Sequence, residues 1–433
     1  MQKKIALTGL LKTSGKIIGP IAILLVYIVL AVLFSRHTPL YNPYSSGAGG
    51  EIHYEKAKVV SINEQTITPS GFPELYIGRQ VVIVRLESGQ YQGKTFQVHN
   101  ALNYDANFLL HKGQTIVVSV NTSTGDKSVI NVYMYAPDRV VPLLALIGLF
   151  IAAICFVGGW RGFRSLLGIV FTLTTVLFIF VPLLFYGVPA VVATIVLVAV
   201  TSCVTLFLVG GLGKMSLSAV LGTVAGVVIS VMIMLVFSKI LGVSGYTSSD
   251  TDALLNIAGQ SKLQVKDLLF AGIIITSLGA VMDIAISVAT SINELLKHKH
   301  DASFDELFHF GMNVGRDMMG TMANTLILAF LGTSIFSFIL MYSYQVQFTQ
   351  VFNSSGIAID VLNAVCGSLA VILTVPIVSA IAAKLLQGDL SGTLGETMDG
   401  QKDVNCPVIM PGSEDILAQS QTSQEHMGEK ELS

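Results

Sequence analysis

Charge is what this sequence has least of. Asp, Glu, Lys and Arg make up only 12% of its 433 residues, against 52% hydrophobic, whereas a soluble domain carries about 25% charged residues. So little polar surface cannot coat a globule in water, which excludes an ordinary soluble domain. The net charge of −2 leaves no basic footprint, so no nucleic acid is expected as a partner. Cysteine is scarce too. Cys155, Cys203 and Cys366 lie in apolar stretches and Cys406 in the C-terminal tail. The polar segment 37–138 holds none, so it is not stapled by disulfides. No CxxC or Cys/His spacing calls for a structural metal. No phosphate-cradling P-loop is present. No cofactor is expected, and nothing in the pattern points to an enzyme.

What the sequence does contain is a series of apolar windows of ~20 residues, the length that crosses a hydrocarbon core of ~30 Å. The first is 17–34, preceded by Lys3, Lys4, Lys12 and Lys16. Its length, and the lack of a small-x-small site at Phe34-Ser35-Arg36-His37, mark an uncleaved anchor rather than a signal peptide. Seven more follow, at 140–157, 166–186, 189–209, 217–241, 268–292, 318–342 and 357–385. With the N-terminus in the cytoplasm, the inner loops hold Arg161 and Arg164, Lys214, then Lys297, Lys299 and Arg316, and finally Lys384. The outer loops hold mainly Lys262 and Lys266. That is the positive-inside bias at every turn.

The expected fold is a membrane all-α protein of about eight transmembrane helices with an inserted small extracytoplasmic β-barrel-like domain. It is placed in the cell membrane, multi-pass, with both termini cytoplasmic. Residues 1–36 form the cytoplasmic N-terminus and first helix, 37–138 the β-rich domain, 139–386 a seven-helix domain, and 387–433 a polar, disordered tail. Within 37–138, five β-prone runs at 57–62, 81–87, 94–98, 115–121 and 128–135 are separated by turn signals such as Ser88-Gly89 and Thr124-Gly125-Asp126. The last two runs read as a hairpin. Ile116, Val118 and Val120 alternate with Val117, Ser119 and Asn121, as a half-buried strand requires. Five short strands suggest a barrel of the OB or SH3-like size class.

Several features could carry chemistry. Ser218, Gly222, Gly226 and Ser230 recur every four residues, a spacing best explained by static helix packing. The window at 268–292 carries a second stripe, Gly272, Thr276, Gly279, Asp283, Ser287, Thr290 and Glu294, on one helical face. Asp283 is expected ~15 Å from the inner end, where a carboxylate costs several kcal/mol unless protonated, paired or wetted. On the next helix Asp317, Thr321 and Asn324 share a face. Asp317 is expected at the inner boundary, and Asn324 at the depth of Asp283 as its partner. The candidate path for an ion or substrate is therefore Asp283, Asn324, Thr321, Ser287, Asp317 and Thr276. Asp360 reads as an outer interfacial charge favoured by the helix dipole, and Pro376 frees a backbone carbonyl. The tract Lys297-His298-Lys299-His300-Asp301 reads as a solvated inner loop.

Leu278-Gly279-Ala280-Val281-Met282-Asp283, with Ala285 and Ser287 after it, resembles the YibE/F family of bacterial membrane proteins. Gly315-Arg316-Asp317 running into Met322-Ala323-Asn324-Thr325-Leu326-Ile327-Leu328 resembles it too, as does Trp160-Arg161-Gly162. The resemblance implies the topology and marks Asp283 and Asn324, but implies no substrate. The leading expectation is a transporter or permease-like protein whose partners are the lipid bilayer and a paired membrane or envelope protein. The alternative is a non-transporting envelope protein whose outer barrel docks a partner. An intramembrane aspartyl protease using Asp283 and Asp317 ranks last, because the two carboxylates are expected ~15 Å apart in depth and no GxGD sequence is present. Reporter fusions test the topology. Fusions after Lys16 and after Gly388 should report the cytoplasm, and a fusion at Gly89 the outside; a cytoplasmic signal at Gly89 would overturn it.

Overall fold

The computed structural model describes residues 21–38, 50–104, 107–123, 129–244, 246, 251–259 and 261–399. The start of the first apolar window, the Thr124-Gly125-Asp126 turn and residues 400–433 of the tail lie outside them. Helix α1 covers Ile21–Arg36. Five strands follow: β1 (Gly50–Pro69), β2 (Tyr76–Leu86), β3 (Thr95–Leu102), β4 (Thr115–Ser123) and β5 (Val129–Pro137). They form one antiparallel sheet in the order β3-β2-β1-β4-β5.

All five expected runs are strands, but β1 spans 20 residues, far longer than its hydrophobic run. It has two partners. Its first half pairs with β4 from Gly50 to Lys58, its second with β2 from Ala57 onward. Register shifts at Val59/Ser61 and Ile62/Glu64 bend it between the two ladders. The sheet curls, and edge strands β3 and β5 come close without a ladder between them. The result is a half-barrel, the open form of the small barrel-like domain expected. Ile116, Val118 and Val120 point into its core with Ala57, Val82, Val84, Leu86 and Val98, as the alternation in β4 predicts.

Gln80 and Asn100 are buried in that core and are tied into one hydrogen-bond network. The Leu110 amide donates to Gln80 Oε1 at 2.9 Å, and Gln80 Nε2 donates to the Leu110 carbonyl at 3.2 Å. Asn100 Nδ2 donates both to Gln80 Oε1 at 3.0 Å and to the Phe108 carbonyl at 2.7 Å. This network ties the β3–β4 connection to the middle of the sheet. The junction with the helices is polar as well. Lys56 Nζ donates to Asp138 Oδ2 at 2.6 Å, and the Val140 amide donates to Asp138 Oδ1 at 3.0 Å. These bonds hold the Asp138 carboxyl below its ordinary range, the Lys56 hydrogen bond most of all.

The helical part contains α2 (Val140–Thr175), a five-residue π segment (Val176–Phe180), α3 (Val181–Phe185), α4 (Ala190–Gly210), α5 (Lys214–Leu241), α6 (Thr251–Ala258), α7 (Leu268–His298), α8 (Phe304–Thr333), α9 (Ile335–Ser343), α10 (Phe348–Phe352) and α11 (Ser355–Asp399). Among the described residues, five helices are long and apolar enough to cross a membrane, by length and composition: Val140–Phe185, Ala190–Gly210, Lys214–Leu241, Val265–His298 and Ser355–Gln387. A sixth is added if α8 and α9, bent by 58° at Ser334, make one span. The expected windows 140–157 and 166–186 are two arms of α2, parted where Gly159 leaves helical geometry at φ 51°, ψ −132°. Close by, a Cβ on Gly162 would lie 2.2 Å from the Ile154 carbonyl oxygen, so the tight turn requires glycine there.

Helix α11 is the hub of the helical core and touches α5, α7 and α8. It runs as one helix through Pro376. It extends as far as Asp399. Helix α1 lies against α2: the Tyr27 ring stands 4.6 Å from that of Phe171, and its hydroxyl hydrogen-bonds Thr175 Oγ1 at 2.8 Å.

Gln80→Leu should orphan the buried Leu110 amide and lower the domain's stability by about 1–3 kcal/mol, read as a lower denaturation midpoint of the strand circular dichroism signal. Asp138→Asn should lower stability near neutral pH. A depressed folded pKa contributes stability above the unfolded value and loses it as pH falls. The gap between variant and wild type should therefore close as pH falls below 3.8; a gap that persists there would disprove the ion-pair account.

Candidate functional site

Helix α7 positions the central carboxylate. Its inward face carries Ile273, Ile274, Val281, Ile284, Ala285, Val288 and Ile292, all buried in the helical core. At 3.6 residues per turn, Asp283 is turned about 200° from Val281, so it faces away from that core. Gly272, Thr276, Gly279 and Asp283 are all exposed at the protein surface, and Ser287 is half-buried. Asp283 is the sixteenth of the 31 residues of α7, Leu268–His298, so it sits at the helix centre. It has no hydrogen-bond partner among the described residues. Thr276 Oγ1 donates to its own helix, to the Gly272 carbonyl at 2.9 Å.

Helix α8 begins at a capping box, with the Glu306 amide donating to Ser303 Oγ and the Ser303 amide donating to Glu306 Oε2. That start lies well before the expected window at 318, because the polar segment 304–317 is helical too. Asp317 is therefore thirteen residues inside α8 rather than at its end. The touching point of α7 and α8 sets their register: a Cβ on Gly311 would lie 2.6 Å from Ile292 Cδ1. Counting from there, Asp283 is level with Gly320 and Thr321. Asn324 lies about 6 Å further out and Asp317 about 5 Å further in. The expected depth match between Asp283 and Asn324 is thus one turn off, and no hydrogen bond joins them. The 15 Å expected between the two carboxylates shrinks to about a turn, because α8 starts earlier than its apolar run.

Asp317, Thr321, Asn324 and Thr325 are all exposed. Thr321 Oγ1 donates to Met318 and Thr325 Oγ1 to Thr321, each to the backbone carbonyl at 2.8 Å. The six candidate residues therefore lie on outward faces of two adjacent helices. The small-residue stripe on α5 does the opposite. Ser218, Gly222, Gly226 and Ser230 are buried; a Cβ on Gly222 would meet Val378 at 2.1 Å, and one on Gly226 would meet Thr374 at 2.0 Å. Ser230 Oγ donates to the Cys366 carbonyl at 3.1 Å. That stripe is static packing, as its spacing suggested.

Sequence reasoning missed one polar contact. Asp360, read as an interfacial charge, accepts a hydrogen bond of 2.5 Å from Ser334 Oγ at the α8–α9 bend. Both line an open pocket of about 140 Å³, with Ile327, Phe330, Leu331 and Phe338 among its other lining residues. The only local signal was the Thr333-Ser334 pair interrupting an apolar run. In the 297–301 tract, Lys299 Nζ donates to Glu306 Oε1 at 2.7 Å, which braces the α7–α8 turn.

No curated protein and no solved structure matches the chain. The sequence model of the YibE/F-like protein family matches residues 146–388, more than half of the chain, and the protein belongs to that family.

Proposed function

We propose that the protein is a permease-like transporter of the cell membrane, crossing it eight times with both termini in the cytoplasm and the β domain outside. Eight apolar helical stretches support the count: α1, the two arms of α2 with α3 ending the second, α4, α5, α7, α8 with α9, and α11. The observation that carries the transport reading is Asp283, a carboxylate at the centre of an apolar helix with no hydrogen-bond partner among the described residues. Such a group is costly in hydrocarbon and is retained where ions, protons or polar substrates pass. Thr276 and Ser287 extend the polar line along α7, and Asp317, Thr321 and Asn324 do so along α8. A carboxyl that is neutral when protonated and needs a cation or water when ionised can couple a proton or ion to a conformational change.

One observation favours a second reading, a docking protein of the envelope. Tyr54, Tyr133 and Tyr135 are exposed on the outer face of the sheet, with the Tyr54 and Tyr135 rings 4.8 Å apart. Aromatic clusters of this kind anchor partners.

Asp283→Asn keeps size and hydrogen bonding but removes titration. It should leave membrane level and melting temperature unchanged while abolishing complementation of a deletion strain. Asp317→Asn should be milder, since its carboxylate lies nearer the inner end. Replacing all three tyrosines by Ser should leave complementation intact. If the tyrosine variant fails and Asp283→Asn complements fully, the docking reading replaces the transport one.

A further inference from the structure

The polar faces of α7 and α8 lie on one side of the helix pair. Helix α11 packs on both helices from the other side: its Gly367 meets Ser277 of α7, and its Val375 meets Gly315 of α8. On that inner side glycines allow close approaches, as Gly311 and Gly315 do on α8 and Gly367 does on α11. The outer side repeats the device with nothing against it. A Cβ on Gly272, Gly279 or Gly320 would find no atom within 4 Å. Among the described residues these glycines pack against nothing, yet Gly272 and Gly279 alternate with Thr276 and Asp283 at the three- and four-residue steps that let helices meet closely.

We propose that this face is the interface between two copies of the chain, and that the polar path lies between them. The inference rests on the transport reading only for the word path; the pairing stands by itself. Two copies in one membrane share an orientation, so a two-fold axis along the membrane normal brings each residue to others of its own depth. That axis sets α7 of one copy against α8 of the other. The register then matches bulk to gap and acceptor to donor. Asn324 falls opposite Gly279 of the second copy, Asp283 opposite its Gly320 and Thr321, and Asp317 opposite its Ser287. Each contact occurs twice. Asp283 gains the Thr321 hydroxyl that its own chain directs elsewhere, and the outward carboxylate leaves the lipid. A face whose gaps and polar groups complement themselves under this rotation fits a second copy better than an unrelated helix.

The test uses full-length chains in native membranes with Cys155, Cys203, Cys366 and Cys406 replaced by Ala. A Gly279→Cys chain and a differently tagged Asn324→Cys chain are co-expressed and oxidised. The expected result is a covalent adduct carrying both tags at twice the chain mass. Ile240→Cys, on the exposed side of α5, should give none. In a separate measurement the otherwise wild-type protein in detergent should scatter light as two chains, and Gly279→Leu, which meets nothing in its own fold, as one chain of unchanged helix content. No adduct, an adduct of another mass, or a wild type already of one chain would overturn the pairing. An intact adduct together with a fully active Asp283→Asn would leave the pairing standing and sink the path.

Discussion

The helical part depends on how closely α5 and α8 approach α11, and four glycines allow it. Gly222 and Gly226 on α5 face Val378 and Thr374; Gly311 and Gly315 on α8 face Ser379 and Val375. These partners are consecutive turns of one helix, so α11 is gripped from two sides along the same stretch. Any side chain at these glycines would force the helices apart, and core packing tolerates little of that. Two hydroxyls on the same surfaces are satisfied within their own helices. Thr374 Oγ1 donates to the Ala370 carbonyl at 2.7 Å, and Thr223 Oγ1 to the Ala219 carbonyl at 2.8 Å. Ser379 Oγ, against Gly311, is buried with no partner among the described residues. The helices thus pack through small residues, which is how association works where the surroundings are as apolar as the side chains.

That inner grip explains the outer surface. Once α7 spends Ile273 to Ile292 on the core, its remaining face must point outward, and that face holds Asp283. The same holds for α8, whose Gly311 and Gly315 turn Asp317, Thr321 and Asn324 away from α11. The polar groups are not hidden by the fold; the fold displays them. The β domain answers to different constraints. Its core is aliphatic, the buried Gln80 and Asn100 amides bond each other and the backbone, and Lys56 and Asp138 join it to the first turn of α2.

Much of this architecture is legible in the residues. Five β-prone runs became five strands because alternation in 115–121 and its neighbours matches a half-buried sheet. The apolar windows became helices of comparable extent because a long uncharged run has few alternatives. The stripe on α5 was read as packing and is packing. What was misjudged were extents and neighbours. The length of β1 follows from having a partner on each side, which no local pattern in 57–62 records. The early start of α8 comes from a capping box in a polar segment, and it moved Asp317 and Asn324 by a turn or more relative to Asp283.

The sequence alone determined that Gly272, Thr276, Gly279 and Asp283 share one face of a helix, because that follows from 3.6 residues per turn and nothing else. It likewise determined that Asp317, Thr321 and Asn324 share another. Only the tertiary structure decided which way those faces look. Periodicity sorts residues around a single axis, but a face becomes inside or outside only when other helices occupy one side of it. That choice is made by contacts between Gly311 and Ile292, Gly315 and Val375, and Gly367 and Ser277. These pairs are far apart in the chain, and no local pattern encodes them.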